Sequence, residues 1–109
     1  MAKYLIEAAY AHEGLKGLIK EGGSGRRAAV DAAAKALGGR VEAMYWGFGT
    51  DDVYAIVDSP DNVSAAAFAL AIGATGTIAH YRTIVLLTAE EVDQAAKKSS
   101  AIGYRAPGH

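Results

Sequence analysis

The side chains able to do chemistry fall in two places. Alternation along the apolar runs puts Glu7, Glu42, His80 and Arg82 together on one face of the strands expected here. The segment KEGGSGRR (20–27) joins a glycine-rich turn to Arg26 and Arg27. Carboxylates beside a histidine and an arginine can remove a proton next to a carbonyl and hold the resulting anion. In that reading Glu42 or His80 carries the proton, Arg82 holds the anion, and Trp46 and Tyr54 wall the pocket. Cofactor-independent isomerisation or oxygenation is the chemistry such a set supports. Buried without a ligand, the same charged groups would instead form an ion network that fixes the geometry of an assembly.

KEGGSGRR raises a separate question. Free N–H groups at a helix start, with Ser24, Arg26 and Arg27 beside them, form a site for a phosphate or carboxylate. The segment lacks the P-loop lysine and spacing. Its glycines are also explained by a bend between two helical pieces, with Ser24 capping the second. Arginines in a first helical turn oppose the helix dipole. They therefore call for an anionic partner: a ligand, Asp51, Asp52 or a neighbouring carboxylate.

Other chemistries are poorly served. The chain has no cysteine, which removes thiolate nucleophiles, thiolate metal sites and disulfides. No serine sits in a G-x-S-x-G elbow. His12, His80, Glu7 and Glu42 are the candidate metal ligands, but no H-x-H or H-E-x-x-H spacing joins them, so no metal site is expected. Haem held by His12 or His80 is the weaker reading, and the cofactor question stays open. Asp51 and Asp52 read as ordinary turn residues.

These residues need a scaffold, and 109 residues make one domain, 1–109, with about 99–109 as a tail. Eleven Lys and Arg against twelve Asp and Glu give a net charge of -1, which argues against a nucleic-acid partner. No window approaches the run of about 20 apolar residues that spans a membrane. The first residues are too short an apolar run for a secretion signal, so a cytoplasmic protein is expected.

Periodicity predicts strands at YLIEAAYA (4–11), RVEAMYWGF (40–48), VYAIVDS (53–59) and TIAHYRTIVLL (77–87). The middle two are joined through GTDD as a hairpin. Helical spacing appears in HEGLKGLIKEG and again from Ser24 to Ala36 or Leu37, ended by Gly38-Gly39. Ser59-Pro60 signals the start of a helix through DNVSAAAFALAIGA, whose composition predicts burial. Thr88 and Glu91 form a capping box for a last helix. The order βαββαβ plus a C-terminal helix is the ferredoxin-like α+β pattern.

Alternation then assigns faces. Tyr4, Ile6 and Ala8, Val41, Ala43 and Tyr45, Val53, Ala55 and Val57, with Tyr81 and Val85, suit packing under alanine-rich helices. Leu5, Met44, Trp46, Phe48, Ile56, Ile78, Ile84 and Leu86 fall on the other face with the charged set. So apolar a face calls for a partner, and a homodimer packed sheet to sheet is expected. A one-residue register slip would exchange the two faces. The expected partners are a second copy and a small anionic or aromatic ligand.

The segments GLKGLIKEGGSGRR, GFGTDDVYAI and PDNVSAAAFAL…GATG, followed by TIVLLTAEEVDQAAKKS, resemble the bacterial GYD domain family. The resemblance runs from Lys3 to about Pro107. The Gly-Tyr-Asp element of that family falls on GTDD, where Gly49 and Asp52 match and Asp51 stands in place of the tyrosine. What the resemblance implies is a dimeric α/β barrel. It implies no particular reaction, since similar barrels serve small monooxygenases, haem-degrading enzymes, muconolactone-type isomerases and stress-response proteins.

Overall fold

The computed structural model describes all 109 residues. Its elements are β1 (Ala2–Tyr10), α1 (His12–Ala36), β2 (Arg40–Trp46), β3 (Val53–Ser59), α2 (Asn62–Gly73), β4 (Ile78–Leu86) and α3 (Ala89–Ser100). The strands form one antiparallel sheet in the order β2-β3-β1-β4. That is the ferredoxin-like arrangement the sequence predicts. Helices α1 and α2 cover one face, and Tyr4, Ile6, Val41, Val53, Ala55, Val57 and Phe68 form the core between the layers.

Helix α1 joins the two helical patterns of the sequence and contains the expected bend between them. Gly22 has φ 76° and ψ 168°, a left-handed conformation that a side chain disfavours, and helix resumes beyond it. Glu21 lies before the break and Arg26 after it, and the two meet at 3.1 Å. Arg27 pairs with Asp31 at 3.1 Å, one helical turn on. The arginines thus find neighbouring carboxylates, while Ser24 is exposed. Gly14 is required by proximity, because a Cβ there would lie 2.1 Å from the Thr77 carbonyl oxygen at the approach to β4.

Two helix expectations are corrected. Helix α2 starts two residues later than Ser59-Pro60 suggests: Asp61 is the N-cap, and its carboxylate accepts from the Ser64 N–H at 2.7 Å. That hydrogen bond holds the Asp61 carboxyl below its usual value. Nor is α2 buried all round. Only Ala65 and Phe68 are fully covered, and Val63 and Leu70 face outward. A helix lying on one side of a single sheet has only one face to bury.

Helix α3 carries the expected capping box between Thr88 and Glu91. None of its residues is buried, and it projects from a molecule measuring 56 × 33 × 22 Å. No helix is long and apolar enough to cross a membrane.

The face assignment holds for β1 and β3 and fails in parts of β2 and β4. Val41 pairs with Val57 but Ala43 pairs with Ile56, leaving Glu42 as an extra residue in a bulge. Beyond it every side chain changes face. Met44 is buried in the core and Trp46 packs against it, while Ala43 and Tyr45 turn to the open face. A second irregularity pairs Tyr10 with Ile78 and Ala9 with His80, which brings Ile78 to the helix side. The open face keeps Leu5, Ile56, Ile84 and Leu86 as an apolar centre. Phe48 lies beyond the end of β2 and is exposed.

Candidate functional site

The charged groups of the open face collect at two ends of the sheet, with the apolar centre between them. At one end, Lys3 on β1 lies opposite Asp58 on β3, which lies opposite Arg40 on β2. The Lys3 ammonium donates to Asp58 at 2.9 Å and to Glu42 at 3.0 Å, and Arg40 reaches Asp58 at 3.0 Å. Asp58 is buried beneath these cations. The hydrogen bond from Lys3 holds its carboxyl below the usual value against the opposing effect of burial. The same hydrogen bond, then the one to Glu42, raises Lys3. This grouping is a closed ion network with its members matched.

At the other end, the register sets Tyr45, Tyr54, Glu7 and Arg82 in one row across all four strands. The Arg82 guanidinium lies 3.6 Å from Glu7 and donates a short hydrogen bond to Asp51. Asp51 comes from the β2–β3 connection and is only 3% exposed. The connection is anchored rather than loose. The Asp52 N–H donates to the Ala8 carbonyl at 2.8 Å, the Asp52 carboxylate accepts from the Tyr10 N–H at 2.9 Å, and the Gly47 N–H donates to the Asp52 carbonyl at 3.0 Å. The Tyr54 hydroxyl donates to the Asp51 carbonyl at 3.5 Å. Asp51 and Asp52 are therefore not ordinary turn residues: one is a buried member of the cluster and the other ties the turn to β1.

The cluster is incomplete in one respect. One Asp51 carboxylate oxygen accepts from Arg82, while Oδ1 is buried with no hydrogen-bond partner. A buried acceptor left unpaired is costly, so this oxygen is a place where a donor would be held strongly.

The structure brings together some of the expected site residues and separates others. Arg82 and Tyr54 meet in the row just described. His80 is exposed and precedes Arg82 by two residues on the same face, opposite Ala9. Glu42 belongs to the Lys3–Asp58 end, on the far edge strand, on the order of 20 Å from His80 by strand rise and spacing. Trp46 lies on the other side of the sheet, where its indole N–H donates to the Tyr10 hydroxyl at 3.1 Å. Ser24, Arg26 and Arg27 lie on α1, away from the open face. His12 is exposed at the start of α1, and no group of three or more His, Asp or Glu side chains is arranged to hold a metal ion.

Sequence reasoning missed Asp51, Lys3 and Asp58 as members of these clusters. Extending the alternation one step at each strand end would have placed Lys3 and Asp58 on the face of Leu5 and Ile56. Nothing local marks Asp51, whose burial depends on where the connection folds.

Comparison with known proteins gives a family and a likeness to a solved structure. The model of the GYD domain matches residues 4–96, stopping short of the tail that the resemblance extended to Pro107. No curated protein matches the chain. Among solved structures, the chain is similar to an uncharacterized NIPSNAP domain protein from Burkholderia xenovorans. The TM-score is 0.47 at 14% identity, over 82% of this chain and 95% of that one.

Proposed function

The chain belongs to the GYD domain family, and from that premise we propose that it is a homo-oligomeric protein that binds a small molecule on the open sheet face, at the Glu7–Arg82–Asp51 cluster. The observation that carries the reading is the buried, unpartnered Asp51 oxygen beside a guanidinium and a phenol. A ligand hydroxyl or amine donates to Asp51, and an aromatic body lies along Tyr54 and Tyr45. Two carboxylates against one arginine make the cluster net negative, which suits an aromatic ligand with a donor group better than an anionic one.

Glu7 and His80 flank Arg82 and take the proton-carrying role that the alternation pattern gave to Glu42 and His80. With Arg82 holding an enolate-like oxygen, this is the arrangement a cofactor-independent isomerase or oxygenase would use. Leu5, Ile56, Ile84 and Leu86 are the surface on which a second copy packs, closing the pocket from above.

A second reading has its own support. The same apolar centre and the unpartnered α3 suit a purely structural oligomer, in which Glu7, Arg82 and Asp51 only fix the register between copies.

Native mass spectrometry of the purified protein, before and after denaturation, tests both. A dimer that releases a small mass on denaturation supports the pocket, and a bare dimer supports the structural oligomer. A monomer refutes sheet-to-sheet assembly. His80→Ala separates the two dimeric cases further, because it should weaken ligand retention while leaving assembly intact.

A further inference from the structure

Helix α3 has nothing to pack on in its own chain. Every residue from Ala89 to Ser100 is exposed, and the helix projects from the rest of the molecule. At 12 residues it has about the length at which an isolated helix is only marginally stable in water. The capping box, with Glu90 and Glu91 in the first turn and Lys97 and Lys98 in the last, favours the helix without burying any of it.

The residue pattern is nevertheless that of a helix with one packed face. Val92, Ala95, Ala96 and Ser99 recur at i, i+3, i+4 and i+7 and form one stripe. Glu91 and Lys98 border the stripe on one side, and Asp93 and Lys97 on the other. On both borders the acid comes first and the base last. A face bordered in this way is complementary to a copy of itself turned end for end. Two α3 helices aligned antiparallel over their full length set Glu91 against the partner's Lys98 and Asp93 against the partner's Lys97. Parallel alignment would oppose acid to acid and base to base.

The ends of the helix agree with the same alignment. Leu87, two residues before α3, is 55% exposed, and Ile102, two residues after it, is 69% exposed. Antiparallel overlap brings each Leu87 beside the partner's Ile102, so these large apolar side chains cover one another at both ends of the pair.

We propose that α3 is a docking arm for the α3 of a second copy, in an antiparallel pair closed by a two-fold axis near Ala95. This interface is distinct from the apolar centre of the open sheet face and does not depend on it. The stripe itself is short and made of small residues. The charged borders and the contacts between Leu87 and Ile102 are what select the partner and its direction.

The chain has no cysteine, so a single introduced thiol reports on a single position. Ala95→Cys should give a disulfide-linked dimer on mild oxidation of the full chain. Ala89→Cys should not, because an antiparallel pair holds the two copies of that position about 17 Å apart, beyond the reach of a disulfide. Both positions are exposed, so neither change disturbs the core. Two variants of the Ala95→Cys chain then test the charges. Lys97→Glu with Lys98→Glu makes the arm acidic, and Glu91→Gln with Asp93→Lys makes it basic while keeping a residue that completes the capping box. Each alone should cross-link several-fold less, and mixing the two should restore cross-linking between unlike chains. A change in helicity cannot produce that rescue, since each arm keeps its own like-charged neighbours. Cross-linking of Ala89→Cys as strong as that of Ala95→Cys, none in either, or no rescue on mixing would each overturn the pairing. Dimers in native mass spectrometry that do not cross-link through Ala95→Cys would also overturn it, while leaving open-face assembly standing.

Discussion

Removing Asp51 and removing Arg82 should have very different costs, although the two residues form one ion pair. Arg82 is the only cation between two carboxylates, and its side chain is 48% exposed while that of Asp51 is 4% exposed. In Asp51→Ala the charge left behind is the guanidinium, which stays hydrated and keeps Glu7. The loss is one charge-assisted hydrogen bond, about 1.5–3 kcal/mol before solvent screening reduces it. Against this, the variant removes a buried acceptor with no partner, which relieves about 1–3 kcal/mol. The two nearly cancel, leaving a net change within about 1 kcal/mol. Arg82→Met instead leaves the Asp51 carboxylate buried and uncompensated beside Glu7, the situation that costs about 3–5 kcal/mol. Urea unfolding at fixed protein concentration gives both values from the midpoint and slope. Equal losses in the two variants would refute the reasoning, because they would mean that the second Asp51 oxygen is satisfied in the folded protein.

Three further predictions concern other parts of the molecule. The Asp58 carboxyl is held low by Lys3, so its stabilising contribution is complete above the ordinary carboxylate pKa and is lost as pH falls through the depressed folded value. Lys3→Met should flatten the acid limb of a stability–pH profile, leaving the smaller effect of Arg40. Tyr81 behaves in the opposite direction. Burial pushes it from 10.0 up to about 12, so its contribution, at most about 2–3 kcal/mol, is present below pH 10 and disappears as pH rises to about 12. Phenolate absorbance should show one late-titrating tyrosine that is absent from Tyr81→Phe. Finally, Gly14→Ala would put a Cβ 2.1 Å from the Thr77 carbonyl oxygen, and forcing α1 off the start of β4 should cost about 2–3 kcal/mol in thermal or urea unfolding. The same change at Gly17, where nothing lies within 4 Å, should cost nothing or stabilise slightly.

The sequence by itself determined the element order, the sheet type and the ends of most elements. Those depend on local physics: alternation in β1 and β3, the capping box at Thr88 and Glu91, and the glycines that close α1. It also placed Arg82 and Tyr54 on one face, since both lie in stretches where alternation is unbroken. Trp46 changed face because of one insertion, while Glu42 kept its face but lies on the opposite edge strand from His80. A bulge at Glu42 inserts one residue, and a period of two has no means of announcing its own interruption. The β2–β3 connection shows the other limit. Asp51 reads as a turn residue because turns favour aspartate, and it becomes a buried partner of Arg82 only when Asp52 ties the connection to β1 and brings it over the cluster. Tyr81 was read correctly as facing the helices, yet its unpaired hydroxyl depends on how α1 bends and what α2 leaves uncovered. Pattern fixes which way a side chain points. Whether a polar atom then finds a partner is settled by groups distant in sequence, and only the packed chain brings those together.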